Sequence, residues 1–233
     1  MPTNSDPLGV VVGMPCYGSV DPATLVSLIG VLCSDIELVR DFICMPFMYV
    51  DAARNEITRQ ALRVSSATHL MFLDNDMVWP HNTISRLATH RVPVVGGNYF
   101  LKVPPHDCVA FNIVELSDGV QIVRLEDFTP NLAVELLFEV EGLGLGATLI
   151  DLDVLRRMKD HFHDEKWFRS EEGGEDVWFF RRLRQLGIPA PVWLDTSLKC
   201  GHIASQVITE DDWIKSYPDS RLAKLLRVEE NDL

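Results

Sequence analysis

Short apolar runs alternate with helix-like stretches through the first hundred residues, and this order constrains the fold more than any other feature. The strand candidates are Leu8–Met14, Phe42–Val50, Leu70–Leu73 and Val92–Val95. The helical patterns between them start at Asp21-Pro22, span Ala52–Val64 and run from about Pro80 to His90. A β-α-β-α-β-α-β order implies right-handed crossovers, and hence an α/β fold with a mostly parallel central sheet flanked by helices.

After Tyr99 the pattern changes to one typical of antiparallel strands. Two runs, Val109–Val114 and Val120–Leu125, flank Ser117-Asp118-Gly119 and predict a hairpin. The later elements are strand candidates at Ala133–Val140, Leu145–Ile150 and Pro191–Leu194, and helix candidates at Asp153–Lys159, Glu175–Leu186 and Asp211–Val228. With 233 residues, the chain fits a single domain with a small antiparallel part in its second half.

Composition narrows the classes of protein to which the chain can belong. The chain is 47% hydrophobic, an ordinary globular balance. Its formal net charge of -13 argues against an extensive nucleic-acid footprint and against docking on anionic lipid. The cysteines are dispersed without a CxxC pair, which is typical of reduced thiols: Cys16, Cys33, Cys44, Cys108 and Cys200. No signal peptide and no apolar run of membrane-spanning length is found, so we expect a soluble, cytoplasmic protein.

Two aspartates, Asp74 and Asp76, follow the apolar run Leu70–Leu73. If that run is a buried strand, both carboxylates lie at the carboxyl edge of the sheet, where open α/β folds bind ligands. Hard divalent cations prefer such oxygens. A second pair, Asp151 and Asp153, has the same spacing but precedes a helical pattern, so it is better explained as a helix cap with an acid in the first turn.

Three other groups of residues each allow a functional and a structural interpretation. Glu175 and Asp176 stand at the start of a predicted helix. They are either acids stabilised there by the helix dipole, or one of them is a general base presented to a cleft. His202 is either a structural group or a metal ligand beside carboxylates. Arg54 and Asn55 either hold an anion at a helix start or are a surface arginine and an N-cap.

Several segments follow one another in the order found in GT-A fold glycosyltransferases. They are GVVVGMPCYG, AARNEITRQAL, HLMFLDND, VVGGNY, GLGLGATLI, GEDVWF and a late GH. Over roughly Val10 to Ile203 the chain resembles a small family-2-like member, with some similarity to mannan-polymerase-type transferases. The resemblance implies one GT-A (Rossmann-like) domain, 1–233, with a nucleotide-binding half (1–100), an acceptor and catalytic half (101–205) and a C-terminal helical tail (206–233).

The resemblance also implies a reaction, namely metal-dependent, inverting transfer of a sugar from a UDP or GDP donor to an acceptor hydroxyl. By resemblance, Asp76 and His202 would bind Mn²⁺ or Mg²⁺, and Asp74 would contact the ribose or assist the metal. Asp176 would act as the catalytic base, and Glu175 would orient sugar or acceptor hydroxyls.

The remaining residues implied by the resemblance concern the nucleotide and the acceptor. The expected nucleotide-binding residues are Pro15, Tyr17, Arg54, Asp74 and Asn75. The loop from Gly142 to Gly146 would line the acceptor side, and Tyr99 and Trp178 are candidates for stacking on a sugar or for the core. The acidic residue that reads the base in family-2-like enzymes has only a doubtful equivalent, Asp51, so the nucleotide stays open.

Two rival functions remain at this point. A nucleotidyltransferase shares a metal and a doubly wound sheet, but a Lys- or Arg-containing Gly-rich loop is absent from MPCYGSVDP after the first strand. A non-catalytic nucleotide-sugar-binding module would keep the aspartate pair without needing Asp176 or His202. The acceptor also stays open between a glycan, a lipid-linked sugar, a protein and a modified nucleobase in DNA, with the acidic net charge counting mildly against DNA. A homo-oligomer is possible.

Overall fold

The computed structural model describes residues 8–117, 119–124, 136–171, 173–187, 192–204 and 207–220. The strands are β1 Val10–Cys16, β2 Val39–Pro46, β3 His69–Leu73, β4 Met77–Val78, β5 Val94–Asn98, β6 Phe111–Leu116, β7 Gly119–Arg124, β8 Leu137–Val140, β9 Ala147–Asp151, β10 Val192–Lys199, β11 Gly201–Ile203 and β12 Val207–Ile208. The helices are α1 Pro22–Ser34, α2 Val50–Ala61, α3 Thr83–Ala88, α4 Leu152–Phe162, α5 Glu175–Gln185 and α6 Glu210–Ser216.

A seven-stranded sheet in the order β2-β1-β3-β9-β5-β10-β8 forms the centre of the fold. Strand β1 pairs in parallel with β2 and β3, and β10 pairs in parallel with β5. Strand β9 lies antiparallel between β3 and β5, and β8 lies antiparallel beside β10. Five strands therefore run in one direction, which confirms the predicted mostly parallel α/β sheet.

Apolar side chains from both faces of this sheet form two core clusters, as expected when helices cover both faces. One cluster joins α2, α4 and α5 to the sheet through side chains such as Ile57, Leu155 and Phe179. The other joins α1 and α3 to the opposite face through Leu28 and Leu87. The sheet is thus buried on both sides, and its strand ends are where polar groups become accessible.

Two smaller sheets complete the described part of the chain. Strands β6 and β7 form the predicted antiparallel hairpin, and β12-β11-β4 form a three-stranded sheet. In the latter, His202 in β11 pairs with Met77 in β4. This pairing brings the segment around His202 directly beside the segment that follows β3.

Helix starts agree with the capping signals in the sequence. Asp21 caps α1 by accepting from the Ala23 N–H, and Pro22 is the first helical residue, as predicted. Asp151 caps α4 by accepting from the Asp153 N–H, which confirms that this second aspartate pair is a cap. Asn55, by contrast, is not an N-cap, because α2 already begins at Val50.

Several predicted element bounds were wrong. Gly96 and Gly97 lie inside β5 instead of ending it. A Cβ at Gly96 would lie 2.8 Å from Leu143 Cδ1, so the glycine allows the strand to pack closely there. Strand β2 begins and ends earlier than expected, at Val39–Pro46, and β10 extends to Lys199. The predicted segments 125, 133–135, 191 and 221–228 lie outside the described residues.

Among the described helices, none has the length and apolar character needed to cross a membrane.

Candidate functional site

The carboxyl ends of β1, β3, β5 and β10 meet at one edge of the central sheet, because these strands run in the same direction. Polar and aromatic side chains follow directly: Tyr17 after β1, Asp74 and Asp76 after β3, Tyr99 after β5, and His202 in β11 just after β10. Such an edge is where open α/β sheets place ligands. The topology therefore gathers residues that are far apart in sequence.

Arg54 lies at the centre of this edge and links two carboxylates. Its side chain is 2% exposed and its guanidinium lies 5.0 Å from the centroid of the Phe72 ring. Nη2 lies 2.9 Å from Asp74 Oδ1 and donates a hydrogen bond of 3.0 Å to Oδ2, while Nε lies 3.3 Å from Glu175 Oε1. Burial alone would lower the pKa of Arg54, but the two carboxylates outweigh it and raise that pKa.

One nitrogen of this guanidinium has no partner. Arg54 Nη1 is buried and makes no hydrogen bond within the described residues. An unsatisfied buried donor costs roughly 1–3 kcal/mol, so it is expected to meet an acceptor from a ligand or from water. Of the two interpretations left open for this segment, a surface arginine is excluded because Arg54 is 2% exposed. Asn55 is not an N-cap either, and its buried side chain bonds both the N–H and the carbonyl oxygen of Phe168.

Asp74 is held by backbone as well as by Arg54. Its N–H donates to the Gly146 carbonyl oxygen at 3.3 Å, and the Gly146 N–H donates to the Tyr99 hydroxyl at 2.9 Å. Burial raises the pKa of Asp74 despite the nearby guanidinium. Tyr99 is buried, so its ring belongs to the core and its hydroxyl fixes the glycine-rich turn.

Asp76 and His202 face each other across the β4–β11 pairing. His202 Nε2 lies 3.7 Å from Asp76 Oδ1, and the Ile203 N–H donates to the Asp76 carbonyl oxygen at 2.7 Å. The Lys102 ammonium donates to the other oxygen, Asp76 Oδ2. Burial would raise the pKa of Asp76, but its bonds to His202 and Lys102 prevail and lower the pKa to about 2, so the carboxylate stays charged.

The Asp76–His202 pair has the chemistry of a partial cation site. His202 Nδ1 lies 2.8 Å from the Phe100 carbonyl oxygen, and because a carbonyl only accepts, Nδ1 carries the proton. With Nδ1 protonated, a cation at this point would meet the Nε2 lone pair of the ring, as in metal-binding histidines, whereas without a cation a proton on Nε2 makes the bond to Asp76. Two ligand atoms on one such cation lie no more than about 4 Å apart, which 3.7 Å satisfies.

Within the described residues, no group of three or more His, Cys, Asp or Glu side chains is arranged so that it could hold a metal ion. A cation bound by Asp76 and His202 would thus need its remaining ligands from a bound substrate or from water.

Asp176 occupies the first turn of α5 at the same edge. Its Oδ1 accepts from the Val177 N–H at 2.7 Å. Burial, reinforced by the neighbouring Glu175 carboxylate, raises the pKa of Asp176 to about 6. A carboxyl group with such a pKa is deprotonated near neutral pH and can still accept a proton.

The segment after β1 carries an exposed aromatic pair. Tyr17 is 63% exposed and stacks on Tyr49, which is 74% exposed, with ring centroids 5.4 Å apart and planes at 25°. Asn75 Nδ2 donates to the Ser19 carbonyl oxygen at 2.9 Å, which ties this segment to the aspartate pair. Pro15 is buried in β1 and can contribute only backbone.

Two residues of this edge escaped the sequence analysis. Lys102 lies in the segment LKVPPH, whose prolines suggest only a loop, and Tyr49 lies in a segment that was assigned to a strand. Neither residue has a sequence signal of its own, and only its position in the folded chain shows that it belongs to this edge.

Two further residues considered in the sequence analysis have partners within the protein. Trp178 has the Arg169 guanidinium 5.5 Å from its ring centroid, and Asp51 accepts hydrogen bonds from the Ala52 and Ser170 N–H groups.

Comparison with solved structures identifies relatives of the fold. The crystal structure of A197 from STIV superposes with a TM-score of 0.63 at 21% identity, over 88% of this chain and 92% of that one. The crystal structure of GalNAc-T7 with UDP, GalNAc and Mn²⁺ superposes with a TM-score of 0.55 at 11% identity, over 97% of this chain and 48% of that one. No family model matches the chain, and no curated protein matches its sequence. At these identities the similarity concerns the fold, and the chain has a GT-A-like fold.

Proposed function

We propose that the protein is a metal-dependent, inverting glycosyltransferase that uses a nucleoside-diphosphate sugar, with UDP or GDP as the nucleotide. The reaction breaks the bond between the sugar anomeric carbon and the diphosphate oxygen. It forms a bond from the same carbon to an acceptor oxygen, whose proton passes to a base on the protein. The GT-A-like fold supports a nucleotide-sugar ligand, and GalNAc-T7, a neighbour of that fold, is described with UDP and Mn²⁺.

One observation carries this proposal: two carboxyl groups at one sheet edge have pKa values displaced in opposite directions. The pKa of Asp76 falls to about 2, whereas that of Asp176 rises to about 6. A group that is always charged suits a cation, and a group that titrates near neutrality suits proton transfer. The opposite displacements thus support separate roles for the two residues.

In this proposal Asp76 and His202 hold the cation and Asp74 supports the donor. A bound Mn²⁺ or Mg²⁺ would neutralise the charge that develops on the diphosphate leaving group. Arg54 contributes a fixed positive charge, and its unpartnered Nη1 offers a donor to the ligand. Tyr17 and Tyr49 offer an aromatic surface against which a nucleobase can stack, and Asn75 holds the adjoining segment.

Asp176 would remove the proton from the acceptor hydroxyl. A positioned base typically contributes a hundredfold or more to the rate. Glu175 is held by Arg54, so its role would be to keep the start of α5 in place and to orient hydroxyls of sugar or acceptor. The acceptor class stays open between glycan, lipid-linked sugar, protein and modified nucleobase.

A nucleotide-sugar screen tests the proposal without knowledge of the acceptor. We expect a UDP- or GDP-sugar to raise the melting temperature with Mn²⁺ and to lose that effect when EDTA is added. A ligand that binds only the folded state at a hundred times its Kd stabilises by about 2.7 kcal/mol. If no nucleotide or nucleotide sugar stabilises the protein in the presence of metal, the proposal is wrong.

The released product separates this function from its rivals. A glycosyltransferase slowly hydrolysing its donor releases UDP or GDP, whereas a nucleotidyltransferase releases pyrophosphate from a nucleoside triphosphate. A non-catalytic binding module would show metal-dependent binding with neither product. Pyrophosphate release, or binding without turnover in the presence of a panel of acceptors, would favour the rivals.

A further inference from the structure

A short loop brings a lysine to the proposed cation ligand Asp76. The loop is closed at its base by a bridge between Phe100 and Cys108, and the Leu101 N–H donates to the Asp107 carbonyl oxygen at 2.9 Å. Lys102 follows, and its ammonium donates to Asp76 Oδ2. The loop therefore positions a positive charge on the carboxylate that also faces His202.

This ion pair is easily broken. The Lys102 and Asp76 side chains are 35% and 37% exposed. Ion pairs of this exposure contribute at most about 1 kcal/mol. The four-carbon stem of a lysine also lets its ammonium reach a new partner without movement of the backbone. Lys102 can thus exchange Asp76 for another anion at low cost.

The other central cation of this edge has no such freedom. Arg54 is 2% exposed and contacts both Asp74 and Glu175, so its guanidinium is fixed. A diphosphate would approach an edge that already holds Asp74, Asp76, Glu175 and Asp176. The repulsion between these carboxylates and a diphosphate is reduced by any cation that can turn from a carboxylate to a phosphate oxygen, and a charge-assisted hydrogen bond to phosphate is strong.

We propose that Lys102 is a ligand of the donor diphosphate, and that it pairs with Asp76 only while no donor is bound. On donor binding the ammonium moves from Asp76 Oδ2 to a phosphate oxygen, and Asp76 is released for the cation. This inference rests on the proposed function and identifies the residue that couples the anionic ligand to the cation site.

The inference predicts effects of opposite sign in one variant. Lys102→Met removes the competitor for Asp76, so Mn²⁺ alone binds more tightly, by up to about fivefold. The same variant loses a charged hydrogen bond to phosphate, so UDP or GDP in saturating Mn²⁺ binds about tenfold or more weakly. A merely structural lysine would change both affinities in the same direction or neither.

Two binding measurements test this. Free Mn²⁺ is followed by electron paramagnetic resonance, and UDP and GDP binding in saturating Mn²⁺ by calorimetry. Lys159→Met is the matched control, because Lys159 pairs with Glu165 in a similarly exposed ion pair. Lys102→Arg keeps the charge and is expected to retain most of the nucleotide affinity, which separates loss of charge from loss of folding.

The outcomes distinguish this inference from the proposed function. If the wild type binds neither UDP nor GDP in Mn²⁺, the proposed function fails and this inference falls with it. If the wild type binds one of them and Lys102→Met binds it equally well, only the role of Lys102 is overturned. Weaker binding of Mn²⁺ alone by Lys102→Met would equally overturn it.

Discussion

At the scale of single residues, the site depends on a buried guanidinium that balances two acids. Arg54 contacts Asp74 and Glu175 and is shielded from solvent. Removing one partner of a buried ion pair leaves an uncompensated charge, which costs more than the intact pair contributes. Stability and site geometry therefore depend on the same side chain.

We expect Arg54→Met to lower the free energy of unfolding by about 3–5 kcal/mol at pH 8. The loss should shrink at pH 5, because the two unpaired carboxylates then gain protons more readily. Urea unfolding at both pH values measures this. Arg59→Met is the control, since Arg59 lies in a partly exposed pair with Glu56 and should cost less than about 1 kcal/mol. Equal losses for both variants would contradict the central role of Arg54.

Replacing Asp176 by asparagine should lower the transfer activity and raise the stability of the fold. Asp176→Asn removes the proposed base, so we expect transfer to fall by about a hundredfold or more while donor affinity is kept. Wild-type activity should rise with pH through about 6, since only the deprotonated carboxyl accepts a proton. Full activity in the variant, with an unchanged pH profile, would exclude Asp176 as the base.

The stability of the same variant has a definite sign. The pKa of Asp176 is raised from 3.8 to about 6 in the folded state, so the unfolded state binds fewer protons between these values. Wild-type stability therefore decreases as pH rises through this window. We expect Asp176→Asn to be more stable above pH 6, by up to about 3 kcal/mol, and the gain to vanish near pH 4. Melting curves across this range provide the measurement.

At the scale of elements, the glycine-rich turn before β9 holds the aspartate edge in place. A Cβ at Gly144 would lie 2.3 Å from the Tyr99 hydroxyl oxygen. The Gly146 N–H donates to that hydroxyl, and the Gly146 carbonyl oxygen accepts from the Asp74 N–H. A side chain in this turn must therefore displace the groups that position Asp74.

We expect Gly144→Ala to destabilise the fold by about 1–3 kcal/mol through overpacking and to weaken donor binding. Tyr99→Phe removes the clashing oxygen, so the double variant should lose less stability than the sum of the two single variants. Chemical denaturation of the four proteins gives the coupling energy. Gly18→Ala is the control for stability, because nothing lies within 4 Å of a Cβ there. Additive losses would show that Gly144 and Tyr99 do not interact.

At the scale of the whole molecule, local patterns predicted the strands of the central sheet but neither their order nor the short strands β4, β11 and β12. The apolar run Leu70–Leu73 with the acids after it is a local signal, and so are the caps Asp21 and Asp151. The insertion of β9 between β3 and β5 has no such signal, because strand order depends on contacts between distant segments.

The same limit applies to the candidate site. Asp74 and Asp76 were proposed as site residues from their position after a strand, whereas Asp176 was proposed as the base from the family resemblance. The burial of Arg54 and the approach of Lys102 to Asp76 could not be found in this way, because each depends on the packing of segments 20 or more positions apart. Sequence patterns thus identified the charged groups, while tertiary structure determined their partners.

The interleaved sheet predicts that both halves of the chain unfold together. Leu149 in β9 is buried in a cluster that includes Met71 of β3 and Val95 of β5, so residues from the later half complete the core of the earlier one. Leu149→Ala should cost about 2–5 kcal/mol of stability. Hydrogen exchange should show the same loss of protection in β1, β3 and β10, since one cooperative unit opens as a whole. Leu25→Ala, at an exposed position of α1, is the matched control and should leave protection nearly unchanged. Retained protection in β1 and β3 with loss confined to β10 would instead indicate two independent folding units.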